Sequence, residues 1–258
     1  MPKKDENLLF ERKFAHDSWD QKTKNSCFLF AKDYKEFLTS CKTERLCVKY
    51  AQKIAENNGF KELEHIGQIK QKGFNAPVYS VNRGKAIILA KPGKCPLTAG
   101  LRLILAHIDS PRLDLKMKPL YENEHLAYLK THYYGGIKKY QWTALPLAIY
   151  GTIVKTNGSS AEIAVGDKPD DPVFMISDLL AHLSEQQLEK KLKDAIAAET
   201  LNVLVGNTAA DTASQEKEKE KDLVKKNIPS CLINNMASKK KILFPLIWSW
   251  CRLAPRAI

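Results

Sequence analysis

The sequence has no run of about 18 apolar residues, so no segment reads as a membrane span. It has no Cys-x-x-Cys pair either; Cys27, Cys41, Cys47, Cys95, Cys231 and Cys251 are scattered. A zinc ribbon needs close pairs, because one tight turn must aim two thiolates at one ion. Nor does scattered spacing make a disulfide framework in a chain of 258 residues, so the cysteines read as reduced core or surface thiols. The start, Met1-Pro2-Lys3-Lys4-Asp5-Glu6, lacks the apolar stretch of a secretory signal, and a cytoplasmic protein is the expectation. Gly135-Gly136 is not followed by the Lys-Ser or Lys-Thr of a phosphate loop, and reads as a bulge or a close backbone approach. No internal repeat is present, and residues 229–258 contain no acid at all.

What is present is a globular composition, 44% apolar and 27% charged, with a net charge of +12. Such a balance raises a basic nucleic-acid-binding protein as one function class. Most bases, however, lie beside acids, as in Glu189-Lys190-Lys191-Leu192-Lys193-Asp194 and Glu216–Lys221, the pattern of a solvated helix face. No aromatic residues interleave a basic stripe, so no nucleic-acid partner is expected.

Phe28, Leu29, Tyr34, Phe37 and Leu38 fit one helix. Thr43 can cap a second, with Glu44 in its first turn, Leu46, Tyr50 and Ile54 recurring every four residues, and Gly59 as the stop. The period then changes. Val78–Val81 and Lys85–Ala90 read as strands joined through Asn82-Arg83-Gly84, and Leu101–Ala106 reads as a strand buried on both faces. After residue 110 the pattern is mostly β: Leu126–Thr131, Leu147–Lys155, Ala161–Val165 and Leu201–Val205. One helix with Leu188, Leu192 and Ile196 on one face lies among them, and 207–227 reads as a loop or the start of an exposed helix. An α/β part followed by a β-rich part suggests two domains.

Chemistry concentrates at Ala106-His107-Ile108-Asp109-Ser110-Pro111. On an extended chain residues two apart share a face, so His107 and Asp109 point the same way where the expected strand runs out. Neutral imidazole is a good zinc ligand, and a nearby carboxylate can fix its tautomer. Taken alone the pair is a weak signal, since most His-x-Asp pairs are surface polar residues or hydrogen-bonded core histidines.

Context sharpens it. That segment, Tyr133-Tyr134-Gly135-Gly136, Ile137-Lys138-Lys139-Tyr140-Gln141-Trp142, Pro146-Leu147-Ala148 and the Cys41-Lys42-Thr43-Glu44-Arg45 helix start together resemble the aspartyl aminopeptidase and vacuolar aminopeptidase I family in its bacterial form, over roughly residues 8–228. The resemblance implies an α/β fold: the N-terminal part of an α/β/α zinc-peptidase catalytic domain in 1–110, and an inserted β-rich dimerisation or oligomerisation domain in 111–228. It implies a metallo-aminopeptidase in which a water held by two zinc ions attacks the first peptide carbonyl, with peptide substrates and a homo-oligomeric assembly. His107 matches the first metal-binding histidine, and Asp109 matches the aspartate that supports it. His182, in Ile176-Ser177-Asp178-Leu179-Leu180-Ala181-His182-Leu183, matches a histidine that stabilises the oxyanion in a neighbouring subunit, although Ala181 stands where proline is expected. His16, His65, His125 and His132 receive no role.

The family's remaining ligands lie beyond the inserted domain and none can be placed here. The resemblance is expected to end at Asn227, and 229–258 to be an aberrant tail that supplies Lys239, Lys240, Lys241, Arg252 and Arg256. Codons for Pro229–Ala237 can be chosen so that a second frame encodes a helix ending, and codons beyond them so that it continues into a strand resembling the family's, which points to a frameshift near codon 228. A single histidine cannot build a catalytic zinc site, which takes about three protein ligands. The chain as written is therefore expected to be a truncated, inactive form. The alternative is a non-catalytic assembly-domain fragment.

Overall fold

In a computed structural model, the described residues are 12–64, 67, 74–154, 158–209, 222–228 and, as backbone alone, 251–255. The Glu-Lys run 216–221, His65 and most of the tail lie outside them. Contacts divide the chain into two compact units at Cys41/Lys42.

The first unit holds helix α1, Gln21–Ser40. Asp20 caps it, its Oδ1 accepting from the Thr23 N–H at 2.7 Å. Phe28, Leu29, Tyr34, Phe37 and Leu38 all fall on it, as expected, and Tyr34 stacks against both Phe30 and Phe37.

The second unit begins with helix α2, Glu44–Asn57. The expected cap is present: Thr43 Oγ1 accepts from the Leu46 N–H at 3.3 Å. Gly59, at φ +78°, ends the helix in the left-handed region. Helix α2 buries Cys47, Val48 and Ala55. Its exposed side is tied to a small sheet by Tyr79, whose hydroxyl donates to Glu56 Oε1 at 2.7 Å. That sheet consists of β1 (Lys61–Glu62), β2 (Val78–Asn82) and β3 (Ala86–Ala90), with β1 parallel and β3 antiparallel to β2. Arg83 (φ +53°) and Gly84 (φ +65°) make the turn, both left-handed as a tight hairpin requires.

The larger sheet is antiparallel throughout. Its strands are β4 (Arg112–Asn123), β5 (Leu126–Tyr134), β6 (Leu147–Val154), β7 (Ser160–Val165), β8 (Val203–Gly206) and β9 (Cys251–Pro255), in the order β7-β6-β9-β4-β5-β8. Leu113, Leu129, Leu147, Ile149, Val165, Phe174 and Val203 form its core. The register of β4 jumps between Leu115 and Leu120, around Lys118 at φ +51°. Residues 223–228 are helical and bury Val224 and Ile228, so the end of the 207–227 stretch is packed rather than exposed.

Three further features differ from the sequence expectations. Leu101–Ala106 forms neither strand nor helix, and Leu101, Leu103, Ile104 and Leu105 are exposed. A strand covered on both faces needs neighbours to pair its N–H and C=O groups, and among the described residues nothing pairs with it. The helix expected through Leu188, Leu192 and Ile196 is instead two short turns, Glu185–Leu188 and Leu192–Ala195, with Lys191 extended between them. Only Ile196 reaches the core, while Leu188 and Leu192 are exposed, and a helix that buries no continuous stripe loses its main support. Finally, the tail contributes β9, which lies between β4 and β6. The backbone edges of two strands accept any extended segment, whatever its side chains.

Candidate functional site

Strand β4 starts immediately after the His-x-Asp segment, and its first residue organises the region. Arg112 is opposite Tyr134 at the far end of β5, and its guanidinium lies 3.8 Å from the Tyr134 ring centroid. Arg112 Nε donates to Asp114 Oδ1 at 2.8 Å, one terminal nitrogen donates to Ser110 O at 3.3 Å, and Glu44 Oε1 lies 3.5 Å from that nitrogen. Helix α2 adds a second hold through Cys47, whose thiol donates to the Ile108 carbonyl at 3.7 Å. Gly135, at φ +77°, turns the chain beside Pro111 in the left-handed region that favours glycine, while a Cβ there would make only an ordinary contact with the Pro111 Cα at 3.6 Å. The glycine pair is structural at Gly135, as its sequence suggested.

These holds present His107 and Asp109 together. His107 Nδ1 lies 3.1 Å from Asp109 Oδ1 and 3.2 Å from Asp109 O. Both partners are acceptors when the carboxylate is ionised, so in the neutral ring Nδ1 carries the proton and Nε2 keeps its lone pair. The imidazole is 87% exposed, which leaves that lone pair open. Tyr134 donates its hydroxyl to the other carboxylate oxygen, Oδ2, at 2.9 Å. This bond, followed by Asp109's own backbone N–H and by His107, holds the Asp109 carboxyl below its ordinary range, and the same bond pushes the Tyr134 phenol up. Tyr134 has no role assigned from sequence. The signal that would have exposed it, its cross-strand register with Arg112, requires knowing that β4 begins at Arg112.

The second candidate, His182, is an exposed residue of the short turn Ala181–Leu183. It borders a cavity of about 690 Å³ with Thr143, Asp178, Gln187, Lys190 and Thr200. Asp178 braces this loop, accepting from Leu179 N–H at 2.8 Å, Gln187 Nε2 at 3.1 Å and Thr143 Oγ1 at 3.2 Å. The Gln187 bond is the largest of the influences that lower its pKa; burial opposes them. Ser184 Oγ closes the turn on Ala181 O at 2.9 Å. No hydrogen bond links His182 to His107 or Asp109 among the described residues, and none of their His, Cys, Asp and Glu side chains gather in groups of three or more that could hold a metal. The pair His107–Asp109 thus fits one supported zinc donor, not a complete site.

Comparison with known proteins shows which family the chain belongs to. The model of the aminopeptidase I zinc metalloprotease family, M18, matches residues 37–245. The chain belongs to the M18 family. A probable M18 family aminopeptidase 1 of Clostridium acetobutylicum is 47% identical over 223 residues, covering 85% of this chain and 47% of that protein. The crystal structure of an M18 aminopeptidase from Thermotoga maritima superposes with a TM-score of 0.80 at 38% identity, covering 96% of this chain and 51% of the other. This M18 chain therefore spans about half the length of the relatives it matches, and its mixed helix-and-sheet architecture is theirs. A yeast mApe1 solved as a dodecamer, at 17% identity and a TM-score of 0.59, shares the fold. The family match continues past Asn227, where the resemblance was expected to stop, so at least part of the tail falls within it. No helix among the described residues is long and apolar enough to cross a membrane.

Proposed function

We propose that this chain is the N-terminal half of a cytoplasmic, homo-oligomeric, two-zinc aminopeptidase acting on peptides, and that alone it is catalytically inactive. The observation that carries this reading is the arrangement of His107: Nδ1 bonded to Asp109, Nε2 bare and facing solvent. His107 would donate Nε2 to zinc, and Asp109 would hold its tautomer and orientation. Bound zinc supplies Lewis acidity and a water ionised near neutral pH. His182, on its Asp178-braced loop, would stabilise the oxyanion in a neighbouring subunit. Residues 1–110 belong to the catalytic domain and 111–228 form the inserted oligomerisation domain; 229–258 follow a frameshift near codon 228, a reading that stands against the family match, which runs on to residue 245. Reading the DNA across that codon tests the last point; codons incompatible with the second frame end it.

Among the described residues the site presents one donor where catalytic zinc takes about three. After dialysis the chain should retain no stoichiometric zinc and hydrolyse neither leucyl- nor aspartyl-arylamides. Tight zinc at one ion per chain, or hydrolysis abolished by a chelator, would refute the inactivity. A second reading, a non-catalytic assembly fragment, is favoured by the contrast between the packed larger sheet and the bare Leu101–Leu105 segment. A soluble dimer without hydrolase activity supports it.

A further inference from the structure

We infer that Tyr134 is a positioning residue for the metal-binding histidine: its hydroxyl anchors Asp109 so that this carboxylate holds His107 as the Nδ1–H tautomer with Nε2 free. The inference rests on the reading of His107 as a zinc donor. The geometry is a relay of three side chains on two segments. Tyr134 Oη donates to Asp109 Oδ2 at 2.9 Å, and the opposite oxygen of the same carboxylate accepts from His107 Nδ1 at 3.1 Å. A carboxylate gripped at one oxygen cannot rotate freely about its last side-chain bond, so the other oxygen stays aimed at the ring.

The grip is itself supported. Tyr134 ends β5 opposite Arg112, and the buried guanidinium places its Cζ 3.8 Å from the phenol ring centroid. Arg112 is in turn held by Asp114 and Glu44, so the ring rests on a fixed platform rather than on solvent. Without the phenol, Asp109 would retain only local contacts on a segment that forms no strand, beside an imidazole that is almost wholly exposed. Outer hydrogen bonds of this kind fix the tautomer and direction of metal-binding histidines. Here the support comes from β5, about 25 residues further along the chain.

The test reads the tautomer directly. In the full 258-residue chain labelled with nitrogen-15, long-range proton–nitrogen correlations report Nδ1 and Nε2 of His107 at a pH well above the ordinary histidine value of about 6.5. The native chain should show mainly Nδ1–H. Tyr134→Phe keeps the ring under Arg112 and removes only the hydroxyl. It should move the tautomer ratio toward Nε2–H by about two- to fivefold, the worth of one partly exposed hydrogen bond. Tyr133→Phe should leave the ratio unchanged, and in an Asp109→Ala background Tyr134→Phe should add nothing further. If Tyr134→Phe does not fold, a ring-fluorinated tyrosine at 134, a stronger donor of the same shape, should shift the ratio toward Nδ1–H instead. An unchanged ratio in a folded Tyr134→Phe or fluorotyrosine chain overturns the proposal. Zinc titrated far enough to saturate a single weak imidazole donor, followed at Nε2, keeps the two readings apart: if Nε2 is still unmoved, the donor reading fails while a tautomer shift still sustains the role of Tyr134.

Discussion

Replacing Arg112 tests whether the region around His107 is held from the β4 side. Its side chain is 8% exposed and faces Glu44, 14% exposed, at 3.5 Å and Asp114, 37% exposed, at 2.8 Å. Breaking a buried pair by removing one partner costs about 3–5 kcal/mol, because the other charge stays behind in a poorly solvated place. The Glu44 arm belongs in that class. The Asp114 arm is open to water and adds no more than about 0.5 kcal/mol, and loss of the contact with the Tyr134 ring adds about 0.5–1 kcal/mol. Arg112→Ala should therefore destabilise the chain by about 4–6 kcal/mol. Arg112→Lys keeps a charge but loses the planar fork and the stacking, and should cost about 1–2 kcal/mol. The double change Arg112→Met with Glu44→Gln leaves no stranded charge and should recover at least half of the Arg112→Ala loss. Urea unfolding with an unchanged denaturant slope measures all three. A loss below about 1 kcal/mol for Arg112→Ala, or no recovery in the double variant, would refute the reasoning.

Two further perturbations probe the larger sheet. Gly166→Ala should cost more than about 2 kcal/mol in urea unfolding, since φ is +95° and the new Cβ would lie 3.1 Å from both Ala148 Cα and Leu147 O; Gly59→Ala, at φ +78° with open space, should cost only about 1 kcal/mol. Acid unfolding should depend on Asp171. Burial pulls its carboxyl up, but N–H donors from Lys168, Gly166 and Asp167 outweigh that and hold it below 3.8. Its folded pKa is lower than its unfolded one, so it stabilises the fold above about pH 3.8 and that contribution disappears as pH falls through the folded value. Asp171→Asn should flatten the loss of stability below about pH 4, and an identical acid limb in the variant would exclude this contribution.

The parts of the fold legible in sequence are those specified by neighbouring residues. Thr43 announced helix α2 because a cap acts within one turn, and Arg83-Gly84 announced its hairpin because two left-handed residues suffice to reverse a strand. The parts that were not legible depend on distant partners. Leu188, Leu192 and Ile196 have helical spacing, yet spacing cannot say whether a surface exists to receive the stripe, and only Ile196 finds one. At the site, His107 and Asp109 were readable from a two-residue interval. Tyr134 and Arg112 were not, because their meeting is a matter of β4–β5 register interrupted by an irregularity between Leu115 and Leu120.

The segment before His107 supplies the sharpest contrast between pattern and packing. Leu101–Ala106 has the composition of an interior strand, and in that setting truncating Ile104 would cost about 2–5 kcal/mol. In this chain Ile104 is 94% exposed. Ile104→Ser should therefore change stability by no more than about 0.5 kcal/mol, as at an ordinary surface position. It follows that His107 is not held here by the strand that leads to it, but from the other side, by Cys47 on Ile108, Arg112 on Ser110 and Tyr134 on Asp109. The two sources of order respond to different mutations. Ile104→Ser should leave the His107 tautomer ratio as it is, whereas Arg112→Ala, by removing the platform beneath Tyr134, should shift it toward Nε2–H. A loss above about 2 kcal/mol on Ile104→Ser, accompanied by a changed ratio, would mean that the segment is packed after all and that the imidazole is directed from its N-terminal side.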